Sequence, residues 1–360
     1  MGRRSSSATS IAGPSPRRRK AAAKTGPPVR DGCTWAQCAC YFSRFLAATL
    51  SSLVLNTVLF SLSVSIIQGD IAWTSKHLDS WVQVVALLSW RVLEMGVVWV
   101  LDYDARDIAS FIGLVNLPTH VLLYSFYGLR PTTILTVAAI NIISATIPFL
   151  YFRPTNTIHS VPPSSERAIV TDRQTAIYTT VVAAALYAVV LFLSFATWLP
   201  THLVTYFDGL PSLEIAFDGA KSLVPMFIGL LPAGYATRDF LFVSSAGQPY
   251  AEEPGPAYQE RSHELFAVLL YRKYWMTLPA KRRTLIARTI VLSSMSFANT
   301  VVHSVGTING VELNGAMGWA AIWKVATVTT GLIYGWIDAA DGVEFEAKTT
   351  TRRQSTRTRS

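Results

Sequence analysis

Residues 175–199 read TAIYTTVVAAALYAVVLFLSFATWL. None of them is charged and most are apolar. A helix on the surface of a soluble protein keeps one polar face, and this stretch has none. At ~1.5 Å per residue it is long enough to cross a hydrocarbon layer of ~30 Å. In hydrocarbon every backbone N–H and C=O has to find its partner inside the chain, so the segment is expected to be a membrane-spanning α-helix.

The same pattern recurs on both sides of it. Apolar blocks of spanning length lie at about 41–66, 81–101, 109–128, 132–152, 221–243, 285–306 and 315–337, which with 175–199 makes eight. The chain has 360 residues, of which 51% are hydrophobic and only 15% charged, against about 25% charged in ordinary soluble domains. Its mean hydropathy is +0.33. The fold class is therefore all-α, a polytopic membrane protein with about eight transmembrane helices. The sixth block is the least regular, because Pro225, Gly229, Pro232 and Gly234 interrupt it. Residues 200–219 alternate apolar side chains with Asp208, Pro211, Glu214 and Asp218, and are expected to be interfacial or re-entrant.

The net charge of +9 suggests nucleic acid only until it is mapped. The cations crowd into the tails 1–40 and 338–360 and the segments 102–108, 153–174 and 244–284. The intervening segments hold only Lys76, Arg130 and Lys221. That is the asymmetry of the positive-inside rule, and it puts both termini in the cytoplasm with an even number of spans. Arg44, Arg238 and Arg288 fall near cytoplasmic span ends, where they are expected to snorkel. The expected partners are membrane lipids, with anionic head groups at the cytoplasmic face and no nucleic acid.

Residues 1–40 and 338–360 are basic and rich in Ser, Thr, Ala or Pro, and are expected to be disordered. Within the loop 244–284, residues 261–278 repeat apolar side chains every three to four positions beside basic ones. They are expected to form an amphipathic helix on the membrane surface. No apolar core with a cleavage pattern precedes the first span, which is expected to serve as the targeting signal. Cys33, Cys38 and Cys40 lie beside that span. Their spacing lacks the paired C-x2-C of a zinc site; palmitoylation suits them better. Composition and the Ser/Thr/Arg tails suggest a eukaryotic endomembrane or plasma membrane.

Ionisable side chains at bilayer depth are costly, and by default they point to function. Arg91 and Glu94 share one face of the second span, His120 lies in the third and Lys324 in the eighth. Polar stripes run with them. Ser110, Gly113, Asn116, His120, Tyr124 and Tyr127 follow one face of the third span, and Thr289, Ser293, Ser296, Thr300 and His303 one face of the seventh. Asn56, Asn141 and Ser144 add polar groups to the first and fourth. If Lys324 shares Glu94 with Arg91, two cations face one carboxylate, an excess suited to an anionic ligand. The alternative is tight helix packing, for which Gly331-x-x-x-Gly335 is a familiar pattern.

Three functions follow. The first is a transporter-like protein whose substrate site for an anionic solute or lipid head group is formed by Arg91, Glu94, His120 and Lys324. The second is a non-catalytic endomembrane organiser that binds lipids or partners through its basic tails. The third is a metal-dependent lipid-modifying enzyme using Asp102, Asp104 and Asp107. No motif specifies a cofactor or a catalytic residue. Asp338-Ala-Ala-Asp341-Gly342 lacks the Ala-Arg spacing of the CDP-alcohol phosphotransferase motif, and no histidine box, G-x-S-x-G or P-loop is present.

Overall fold

A computed structural model describes residues 35–78, 80–153, 173–213, 219–246, 275 and 278–357. These are mostly helical and contain no strand. The long helices are α1 (Trp35–Leu62), α2 (Trp81–Val100), α3 (Ala105–Ser125), α4 (Pro131–Phe152) and α5 (Arg173–Thr197). Then come α6 (Leu199–Tyr206), α7 (Leu223–Gly229), α8 (Leu231–Thr237), α9 (Ala280–Thr307) and α10 (Leu313–Arg357). Seven helices are long and apolar enough to cross a membrane, and α7 with the stretch Leu231–Val243 would supply an eighth if the bent pair is one span.

The bend is 47°. It falls at Leu230, two residues before Pro232, whose missing N–H suits the first turn of a new helix better than the interior of an old one. After α8 the helix widens into a π-helical turn, Arg238–Val243. The stretch expected at 200–219 opens as the short helix α6.

The chain divides into a short unit, Met1–Arg44, and a large one, Phe45–Ser360. In the short unit the described residues form the opening of α1, where Ser43 Oγ donates to the Cys40 carbonyl at 2.9 Å. In the large unit α9 packs along α10 and on α3, α3 on α4, and α5 against α8 and α10. The most apolar window buries 50% of its residues in α9 and α10 and 44% in α3, but only 17% in α1 and α2. The centre is thus α3, α9 and α10, filled by Phe111, Phe126, Trp319, Trp323 and Tyr334. The outer helices turn Val82, Val85, Leu88 and Val58 outward.

Close approach of α9 and α10 depends on Gly331: a Cβ there would come within 2.5 Å of Thr289 Oγ1. Gly335, its partner in the packing pattern, would meet only Leu285 at 3.5 Å, an ordinary contact. At the end where α9 turns into α10, the connecting segment is held between two others. Lys76 N donates to Thr307 O, Asn309 N to Thr74 O, Asp208 N to Gly310 O and Glu312 N to Tyr206 O, at 2.7–3.0 Å. Gly310 has φ +75°, and a Cβ there would lie 2.5 Å from the Asp208 carbonyl, so both backbone conformation and space require glycine.

One boundary differs from expectation. The backbone over 338–357 is helical as part of α10, where the sequence predicts a disordered tail. These residues hold no proline and a single glycine, Gly342. Extending a helix that already exists adds one hydrogen bond per residue without a new nucleus. The amphipathic helix expected at 261–278 and most of the tail 1–40 lie outside the described residues.

Candidate functional site

Buried charge gathers at two places. The first surrounds the turn between α2 and α3. Asp102 takes a left-handed conformation, φ 61°, which a short polar side chain tolerates, and the chain reverses there into α3. The first turn of α3 then presents Arg106 and Asp107. Arg106 forms a bidentate pair with Asp239 of the π-helical turn, and Ser110 Oγ donates to the same carboxylate at 3.2 Å. Asp107 receives Arg288 of α9 at 2.7 Å and Ser244 Oγ at 2.8 Å. Arg288 also donates to the Phe240 carbonyl at 3.0 Å and stacks over the rings of Tyr103 and Phe240. Arg153, at the end of α4, pairs with Asp102, donates to the carbonyls of Trp99 and Tyr103 and lies over the Trp99 ring. Burial pushes the Tyr103 hydroxyl up to about 12, which keeps it neutral beside Arg288.

This arrangement joins five segments by charge-assisted bonds. It corrects two expectations. Arg238 and Arg288 are only 8% exposed, so they are enclosed by protein instead of snorkelling. Asp102, Asp104 and Asp107 do not converge on a metal: Asp102 goes to Arg153 and Asp107 to Arg288. Among the described residues no group of three or more His, Cys, Asp or Glu side chains could hold an ion. Asp239 escaped the sequence reading, although an acid beside Arg238 in an apolar stretch was the signal that marks such a partner.

The second place lies in mid-helix between α2, α3 and α9. Arg91 Nη1 donates to Glu94 Oε2 at 2.5 Å. Glu94 is 1% exposed. His303 of α9 lies within electrostatic reach of both, and His120 of α3 within reach of His303. One turn away Asn299 links the three helices. Its Oδ1 accepts from Trp90 Nε1 at 2.8 Å, and its Nδ2 donates to Val115 O at 3.1 Å and to Asn116 Oδ1 at 3.2 Å. Glu94 Oε1 and Arg91 Nη2 have no hydrogen-bond partner. Asn299 and Trp90 were not legible as members, because one polar residue in an apolar helix does not reveal which neighbour it meets.

Three of the four residues expected to form a site, Arg91, Glu94 and His120, thus belong to one polar group. Lys324 does not. It is exposed on the outer face of α10, with its ammonium 5.4 Å from the Phe297 ring. Without it the group holds one cation and one carboxylate in a pair, and the positive excess that suggested an anionic ligand is gone. The hydroxyl stripe of α9 is turned inward but largely self-satisfied: Thr289, Ser293 and Thr300 donate to carbonyls three or four residues back at 2.6–3.2 Å. That favours packing over a lined cavity. Ser144 Oγ donates to Asn56 Oδ1 at 3.3 Å and so joins α4 to α1. Cys40 is an exposed free thiol; Cys33 lies outside the described residues.

Residues 172–337, a little under half of the chain, match the family described as Bouquet formation protein 3 C-terminal domain. The matched segment begins at α5, runs through the π-helical turn with Asp239 and the α9 residues Arg288, Asn299 and His303, and ends inside α10. No curated protein and no solved structure matches the chain.

Proposed function

We propose that this chain is a non-catalytic, multi-pass organiser of an endomembrane. It crosses the bilayer eight times, α7 and the stretch 231–243 forming one broken span, and both termini lie in the cytoplasm. Its basic tails recruit lipid or protein partners, and the nuclear envelope is the membrane to test first in view of the family matched. The observation that carries this reading is that match over 172–337. The site geometry supports it: Asp102, Asp107 and Asp239 are turned onto Arg153, Arg288 and Arg106 of other segments, an arrangement that locks helices together. Juxtamembrane acylation at Cys33, Cys38 or Cys40 would add to tail anchoring.

The test sets the tails against the mid-helix pair. One variant lacks residues 1–34 and 358–360 and has Arg352, Arg353 and Arg357 replaced by glutamine. The other is Arg91→Leu/Glu94→Leu. The organiser reading expects the first to insert but lose its place and its partners, while the second keeps both. A tail variant with full function, together with a folded but inactive pair variant, would reject it in favour of a site within the membrane.

A further inference from the structure

Of the two mid-span cations Arg91 and Lys324, Lys324 is the one turned outward. It stands on α10 within the span-length segment Leu313–Ala339, two residues from its middle. At ~1.5 Å per residue that places its Cα about 3 Å from the midplane of a ~30 Å core. A four-carbon stem is too short to carry the ammonium from there to either head-group layer. Its neighbours on the same helix face are Met317, Val328 and Leu332, exposed by 37%, 36% and 70%. The contact with Phe297 offsets only part of the cost of a charge in lipid.

We propose that this face of α10 docks a transmembrane helix of another protein, one that carries a carboxylate at mid-depth to meet Lys324. The inference rests on the membrane-organiser reading. Charge complementarity selects the occupant. A second copy of this chain is a poor fit, because its carboxylates Glu94, Asp107 and Asp239 have side chains exposed by only 1%, 4% and 3%, and each is already engaged by an arginine. Two-fold pairing through this face would also bring Lys324 against Lys324. A head group does not reach the midplane. An acidic side chain on a neighbouring span does, and the apolar residues around Lys324 supply the packing surface.

The full chain is reconstituted in phosphatidylcholine bilayers with a photo-reactive benzophenone side chain at position 332. Three synthetic single-span Leu/Ala helices are added in turn, with Asp, Leu or Lys at the centre. The Asp helix is expected to crosslink about tenfold more than the Leu helix, the ratio that one good intramembrane polar contact provides. Lys324→Met, similar in length and apolar, should fold at least as stably in detergent and lose the preference. Lys324→Glu should transfer it to the Lys helix. Equal crosslinking to all three helices, copy-to-copy crosslinks that persist in Lys324→Met, adducts with lipid alone, or a Lys324→Met protein that no longer folds would each overturn the proposal. Alkaline carbonate extraction separates the two levels. Release of the chain from the membrane defeats the organiser reading as well, whereas an inserted chain without helix preference defeats only this one.

Discussion

Asp107 and Arg288 have side chains exposed by only 4% and 10%, and each satisfies the other at 2.7 Å. Removing one partner of such a pair strands a buried charge, which costs more than the pair itself contributes. Asp107→Ala should therefore destabilise the protein by about 3–5 kcal/mol. Thermal unfolding in detergent checks this, and adding Arg288→Met should recover part of the loss. Asp70 provides a contrast at the other end of the chain's turns. Its carboxylate accepts from Arg130 at 2.7 Å and from Thr133 at 2.6 Å, and these bonds hold its pKa below the ordinary value. A depressed folded-state value stabilises above the unfolded pKa of about 4 and is lost as pH falls through the lower folded value. The advantage of wild type over Asp70→Asn should be constant from neutral pH down to about 4 and shrink below it. Unfolding temperatures measured across that range decide the matter.

Between elements, the α9–α10 contact is set by which glycine meets a stiff side chain. Thr289 is β-branched, so it has little freedom to withdraw from a new methyl group at position 331. Gly331→Ala should destabilise by about 1–3 kcal/mol despite alanine's higher helix propensity. Gly335→Ala faces only ordinary contact and should be neutral or stabilising by up to about 1 kcal/mol. Adding Thr289→Ala to Gly331→Ala should restore most of the loss, and the four unfolding temperatures form the cycle that tests it. The sequence pattern Gly-x-x-x-Gly marks both positions alike. What separates them is where Thr289 and Leu285 happen to project from the neighbouring helix.

For the whole molecule the decisive element is the broken pair at Leu230. If α7 and the stretch 231–243 cross as one span, the count is even and both termini share a side; if they turn back, the count is seven and the termini are opposed. The distribution of Lys and Arg favours the even count. Protease-sensitive tags at the two ends of the chain, probed in sealed vesicles, should be cut from the same side. Protection of one and loss of the other would make the pair re-entrant. The same experiment bears on the docking face, since it fixes which end of α10 enters from the cytoplasm.

The helical class and the presence of helices long and apolar enough to cross a membrane were legible in the amino-acid sequence because hydropathy is a local property: a run such as 175–199 reads the same whatever surrounds it. The expectation for orientation likewise rests on charge per loop and not on contact, and the tag experiment tests it. The polar stripes were legible too, because a period of 3.6 tells which residues of one helix share a face. What that period does not give is the azimuth of each face toward its neighbours. Only the tertiary structure decided that Asp239 answers Arg106, that Asn299 joins α9 to α2 and α3, and that Lys324 points away from Arg91 and Glu94 toward whatever lies outside.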